Sequence, residues 1–418
     1  MALEPYSKVF SYQDAAHLAR RTMFGATPEN IAKMQKMGLF AAVEQMLNFE
    51  TNELANNPFD PDKVEKQGEK RNITVQRWVY EMINSPFPFR ERLAFFWHNH
   101  FVVEIKKVKR PKLIADYLAI LRQNSLGNFE DLAAAVSFSP AMLLYLDNAQ
   151  NQKEHPNENF ARELLELFTL GIGNYSELDV TESARALTGW TIIKNRNSPR
   201  RGEAIFKAER HDKGSKTILG QTGNFSPEDV VKIAANHKAT AQFIAKKLWL
   251  AFFSDKPNAT AIAEIANSFS AKKNLSDLYF ELFTSKRFYE SKYSIIKSPL
   301  DYLVGTIRSI GVEIPNDYYR SLIFMAARLG QAPLNPPNVA GWKGGRSWIN
   351  DSALLDRINL AKTLFLKQRN IINLADDASR LELALLAENN TKIFELLADY
   401  DIKQKAFLTV TSPEYYLI

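Results

Sequence analysis

Apolar residues recur at intervals of three and four along most of the chain. The pattern is plain in PKLIADYLAILRQ, NIAKMQKMGLFAAVEQML, TAQFIAKKLWLAFF and SALLDRINLAKTLFLKQ. That is the period of an α-helix burying one face, and strand-like alternation is scarce, so the pattern predicts a mostly α fold, a large multi-helix bundle or array. The exception is IFKAERHDKGSKTILGQTGNF, rich in Gly, Lys and β-formers, which predicts at most a short β-hairpin near 205–222. Turn-rich breaks at 56–62, 148–157, 194–203, 254–258 and 332–346 punctuate the helices. They place a boundary near 225, between an N-terminal and central region (1–225) that carries most of the motifs and a C-terminal region (226–418) with a Pro/Gly/Trp loop at 332–348. The two read as subdomains of one unit. No period of 20–50 residues recurs, which argues against a solenoid.

Composition narrows the class. With 45% hydrophobic and 24% charged residues in 418, the chain is neither disordered nor fibrous. No apolar run reaches the ~18–20 residues that span a bilayer, and the first residues lack a basic stretch followed by a hydrophobic one. The expectation is a cytoplasmic protein with no transmembrane segment, with a periplasmic or envelope address left open. Cys is absent, so disulfides, thiolate nucleophiles and zinc–thiolate sites are excluded, and any metal must be held by His, Asp, Glu or carbonyls. The net charge of +6 is a mixed-sign balance of 53 basic and 47 acidic residues. Two basic clusters, KKVKRPK (106–112) and KNRNSPRRGE (194–203), lack the interleaved aromatics of a single-strand platform, which disfavours nucleic acid as a partner.

Several polar groups stand in apolar surroundings. In ENFARELLELFTLG (158–171) a helical rotation places Glu158, Arg162 and Glu166 on one line with Asn159 and Glu163 beside it, opposite Phe160, Leu164, Leu167 and Phe168. Pro156 and Asn157 can open and cap this helix, and Gly171 can end it. The plain alternative is a solvated face knitted by Glu–Arg pairs four apart. SARALTGW adds Arg185 and Trp190, and ERHDKG adds His211 and Asp212. In RERLAFFWHNHFVVE, His98 and His100 are two apart, a spacing that shares a side on extended chain and diverges by ~200° on a helix. A metal could be held by His98, His100 and His211 with Glu163 or Asp212, an N/O set suited to Zn, Mn or Fe. The metal-free alternative makes Glu163 a general acid or base tuned by burial and by Arg162, and paired carboxylates would suit glycosidic hydrolysis. Finally, PLNPPNVAGWKGGRSWIN (333–350) could display Asn338, Trp342, Lys343 and Trp348 to a sugar ring or a peptide, or its tryptophans could plug a gap between helical blocks. The chain contains no GxGxxG after a strand, no GxxxxGK[ST], no HExxH and no GxSxG, which disfavours dinucleotide, P-loop, zincin and α/β-hydrolase readings.

Taken in order, AAHLARRTMFGATPENI, RERLAFFWHNHF, MLLYLDNAQNQKEHPNENFARELLELFTLGIGNYSELDVTESARALTGW, RHDKGSKTILGQTG, FIAKKLWLAFF and PPNVAGWKGGRSWIN resemble the bacterial family named domain of unknown function 1800, nearly end to end. The resemblance points to His17, Arg20, His98, His100, Asn157, Glu158, Asn159, Arg162, Glu163, Glu166, Arg185, Trp190, His211, Asp212, Asn338, Gly341 and Trp342. It brings no reaction with it. Many relatives of this kind look exported and neighbour sulfatase-like or phosphatase-like proteins, which implies envelope or polysaccharide work.

The expectation is therefore a hydrolase acting on a carbohydrate or another envelope-derived substrate. Glu158, Glu163, His211 and Asp212 would supply the acid–base chemistry. Asn159, Arg162, Arg185, Trp190, Asn338 and Trp342 would hold substrate, and His98 and His100 a divalent metal if one is used. The competing expectation is a non-catalytic helical scaffold or partner-binding protein whose polar cluster is a structural network. An enzyme requires these groups to converge on an open cleft; a scaffold requires them enclosed and hydrogen-bonded.

Overall fold

The computed structural model describes residues 3–195, 197–272, 274–367, 374, 376–388 and 391–418. Among these the chain forms 22 α-helices and only two small sheets, as the periodicity predicts. One start signal recurs. Ser11/Asp14, Ser176/Asp179, Ser226/Asp229 and Ser298/Asp301 each close a capping box, the serine receiving the third main-chain N–H of the helix while the aspartate reaches back to the N–H of the serine. The last two put proline in the first turn, where its missing N–H costs nothing.

The helix Pro88–His100 lies at the centre of the molecule. Nearly every residue of it is buried, so it has no wet face, and its polar residues must find partners inside. Phe89 packs edge-on to Tyr279 and Phe283 at 5.8 and 5.6 Å, and Phe96 meets Phe252 at 5.5 Å. Arg92 pairs with buried Asp301. The regions on either side of position 225 thus share one apolar core, which runs from Leu3 to Tyr416.

The predicted hairpin is shorter than expected and has a different partner scheme. Lys216–Ile218 pairs antiparallel with Gln221–Gly223 to make the hairpin, whereas Ala204–Phe206 pairs backwards with Trp190–Ile192 as a separate two-stranded sheet. Thr191 Oγ1 also donates to the Ala149 carbonyl, anchoring that sheet to the turn at 148–150.

No helix among the described residues is long and apolar enough to cross a membrane.

Candidate functional site

Asn157 caps the motif helix as predicted, its side-chain oxygen accepting the Asn159 N–H at 2.9 Å. The Asn157 N–H in turn donates to Asn151, a wholly buried amide that also donates to the Ala184 carbonyl. The helix itself is only Glu158–Glu163. Leu164–Thr169 continues it as a π turn, with Leu170 N–H donating to Leu165 at 2.8 Å, and so the single line of Glu158, Arg162 and Glu166 is broken. Arg162 spans to the helix Glu177–Ala186, donating to both oxygens of Glu177 at 2.9 and 2.7 Å, and Thr181 donates to Glu158 at 2.8 Å. Glu166 accepts from the Tyr175 hydroxyl. Asn159 is exposed and donates to the Leu146 carbonyl at 3.2 Å.

Glu163 differs from its neighbours. Half-buried, it has no hydrogen bond or ion pair within the described residues. Burial first, then the Glu166 carboxylate, pushes its carboxyl above the usual range against the pull of Arg162.

A second cluster joins the helix Glu177–Ala186 to the hairpin. Arg185 divides its guanidinium between Asp212 (Nε to Oδ2, 2.8 Å) and Glu182 (Nη1 to Oε1 and Oε2, 2.9 and 3.0 Å). Burial pushes the Asp212 carboxyl up, but Arg185, the Gly214 N–H and Lys216 outweigh it and hold the group below the ordinary range. Lys216 is buried, and its amine donates to the carbonyls of Asp212 and Gly214. His211 Nδ1 lies 3.0 Å from the Thr188 carbonyl oxygen; because a carbonyl only accepts, Nδ1 carries the proton. Burial lowers the His211 pKa despite that bond. Gly189 lies beneath this ring with φ 108°, where an added Cβ would meet Phe206 at 2.6 Å and His211 at 3.2 Å. Trp190 stacks on Phe138 at 5.1 Å, its indole N–H buried and without a partner among the described residues.

The histidines of the central helix go elsewhere. His98 Nε2 donates to the Val103 carbonyl at 3.2 Å and His100 Nε2 to the Phe168 carbonyl at 2.9 Å. His98 is surrounded by Trp78, Tyr117 and Trp342, His100 by Trp97, Phe101, Phe129, Phe168 and Phe243. Burial drives their pKa values down to about 4 and about 3. Their Nδ1 atoms are enclosed and have no partner among the described residues. The helix carries its regular rotation through both positions, so the two rings diverge. Among the described residues no three His, Asp or Glu side chains gather in a way that could hold a metal ion, and the expected meeting of His98, His100 and His211 with Glu163 or Asp212 does not occur.

The Pro/Gly loop also departs from expectation. Trp342 is not displayed: it is 7% exposed and lies flat against His98 and Phe95. Asn338 is exposed, its side-chain oxygen accepting the Ala340 N–H at 2.9 Å. Asn338, Trp342, Lys343 and Trp348 nonetheless border a common cavity of about 490 Å³, together with Arg328 and Asn350.

The polar residues predicted as one pocket therefore fall into four places: the Arg162 face, the Arg185–Asp212 cluster, the enclosed histidines and the tryptophan cavity. His17, carried over by resemblance, donates to the Phe288 carbonyl at 2.9 Å in the core. The largest ionic assembly escaped the sequence reading. Arg90 bridges Glu81 and Glu91, and Arg122 grips both oxygens of Glu91 at 2.9 Å while reaching Glu53 at 2.6 Å. Arg77 closes the chain on Glu53, and Trp78 donates to Glu91 at 3.1 Å. Its one visible signal was the unbroken run Arg90-Glu91-Arg92 inside an apolar helix.

The family model described as "Protein of unknown function (DUF1800)" matches residues 17–417. No match was found among curated proteins or among solved structures.

Proposed function

Because the chain belongs to the DUF1800 family, whose description names no activity, its role must come from its own side chains, and we propose that it is a non-catalytic helical binding protein. In this reading the family-like motifs fix how the helices pack, and the cavity bordered by Asn338, Lys343 and the edges of Trp342 and Trp348 receives the partner. The observation that carries it is the division of Arg185 between Glu182 and Asp212, which engages one guanidinium and two carboxylates with each other and leaves none free for proton transfer. A double-mutant cycle tests it. Arg185→Met and Asp212→Asn should each lower thermal stability, and the double variant should lose less than the sum of the two, with a coupling of ~0.5–3 kcal/mol. Additive effects, or single variants as stable as the unaltered protein, would count against a packing role.

One observation favours the hydrolytic reading instead. Glu163 keeps an unpaired carboxyl with a raised pKa beside Glu166, the environment of a general acid. A hydrolase of carbohydrate or envelope-derived material would lose turnover in Glu163→Gln while keeping its melting temperature.

A further inference from the structure

Lys297 contributes to the wall of a cavity of about 440 Å³. It is 6% exposed, and its amine stands 3.2 Å from the centroid of the Tyr415 ring. Among the described residues no carboxylate or carbonyl accepts a hydrogen bond from that amine. A second cation lines the same cavity: Arg20 donates to the Leu385 carbonyl at 2.9 Å and has no acidic partner in the described chain. A third, the wholly buried Arg357, stands behind them. It donates to the Lys297 carbonyl at 2.7 Å, and its Nε and Nη1 have no partner among the described residues.

Two acids near the buried amine, Asp301 and Asp255, are engaged elsewhere. Asp301 is held by Arg92 and Ser298, and Asp255 accepts the Ile296 N–H. Glu388, Lys392 and Glu414 stand at the rim, exposed. Tyrosine faces supply attraction to the cations but no counter-charge: Tyr415 under Lys297, Tyr302 and Tyr416 under Arg357. Burial holds the Lys297 amine well below its ordinary range, reinforced by Arg20 and Arg357 and opposed by Asp301. A buried basic group without an acidic partner is costly, and a fold that needed only packing at Lys297 could have used an apolar side chain. Leu385, Leu386, Ile393 and Leu417 give the wall an apolar side, with Thr391 beside them. Tyr293, half-exposed beside it, is held at φ 59°, a conformation unfavourable for a bulky residue and common where a ligand is clamped.

We propose that this cavity binds a small molecule carrying a carboxylate on an apolar chain, the carboxylate between Lys297 and Arg20 and the chain along Leu385, Leu386, Ile393 and Leu417. The incoming anion supplies the missing counter-charge, and the leucine wall selects for an apolar tail. The proposal is independent of the packing reading, since the cavity shares no residue with the Arg185–Asp212 cluster or with the tryptophan cavity.

Isothermal titration calorimetry on the full chain tests it, with octanoate as the probe and octanamide and acetate as controls. Octanoate should bind, and both controls should bind at least about tenfold more weakly, one lacking the charge and the other the chain. Lys297→Met should weaken octanoate by at least about tenfold while its melting temperature holds or rises, because a buried amine without an acidic partner has been removed. No octanoate binding, equal affinity for acid and amide, or unchanged affinity in Lys297→Met would each overturn the assignment. Should the variant fail to fold, the comparison of acid with amide on the unaltered chain still decides it.

Discussion

The side-chain oxygen of Asn99 accepts the main-chain N–H of Trp342 at 2.8 Å, joining two positions 243 residues apart. The next residue back, Gly341, sits at φ 80° against the same asparagine, where an added Cβ would lie 2.6 Å from the Asn99 carbonyl oxygen. One amide thus pins the Pro/Gly loop to the central helix. Asn99→Ala should cost ~1–3 kcal/mol by stranding a part-buried N–H. Gly341→Ala should cost at least as much, because both its dihedral and its contact are wrong for a side chain. Urea denaturation measures both, and an unchanged midpoint for Gly341→Ala would contradict the close approach.

The buried ionic chain makes a sharper demand. Arg122→Met removes one of the two arginine partners of Glu91, leaving the fully enclosed carboxylate to Arg90 alone, and should cost ~3–5 kcal/mol. Arg122→Met combined with Glu91→Leu should recover part of that loss, since the stranded charge is gone as well. Chemical denaturation of the two single variants and the pair gives the comparison.

Acid stability should report the enclosed imidazoles. The folded-state pKa values of about 4 for His98 and about 3 for His100 lie below the ordinary 6.5, so between those limits the unfolded chain binds protons that the native protein refuses. The contribution is fully present above pH ~6.5 and is lost as pH falls toward 4 and then 3, on the order of 3 kcal/mol for His98 at ~1.4 kcal/mol per tenfold change in proton affinity. His98→Phe should flatten that part of the curve of stability against pH. A slope as steep as that of the unaltered protein would show that the ring is not a neutral buried base.

Glu163→Gln should behave in the opposite sense to a buried ion pair. A carboxyl raised above its unfolded value is a liability once pH passes its ordinary range, because burial and Glu166 both oppose the charge. The substitution should leave stability at pH 7 unchanged or raise it by about 0.2–0.5 kcal/mol, the scale of a like-charge helical pair. Thermal melts at pH 4 and pH 7 should show the gain only at the higher value.

The helical architecture was open to inspection in the three-and-four spacing of apolar residues, because core-facing stripes are a local property. The Asn157 cap was legible for the same reason. The hairpin was half legible: the Gly-rich turn marked Lys216–Gly223, but Ala204–Phe206 finds its partner back at Trp190–Ile192, a pairing that no local pattern encodes. The expected pocket failed for a geometric reason. Clustering in sequence places His98 and His100 on one short helix, whose regular rotation sends the two rings into different aromatic nests. Arg185 is taken up by the carboxylates of Glu182 and Asp212, and His211 gives its Nδ1 proton to the Thr188 carbonyl. The π turn at Leu164–Thr169 left no composition signal either, and with it went the alignment of Glu166 below Arg162. Lys297 and Arg20 lie far apart in sequence, one in a loop and one at a helix end, and nothing local joins them.

The chain of Glu53, Arg122, Glu91, Arg90 and Glu81 threads a loop and the helices Gln67–Asn84, Pro88–His100 and Pro111–Asn124. Glu81 and Arg122 would each enter the interior as a bare ion without the helix Pro88–His100, on which Arg90 and Glu91 pair with each other. The three helices should therefore dock together, and optical reporters placed on each should change with the same time constant on refolding.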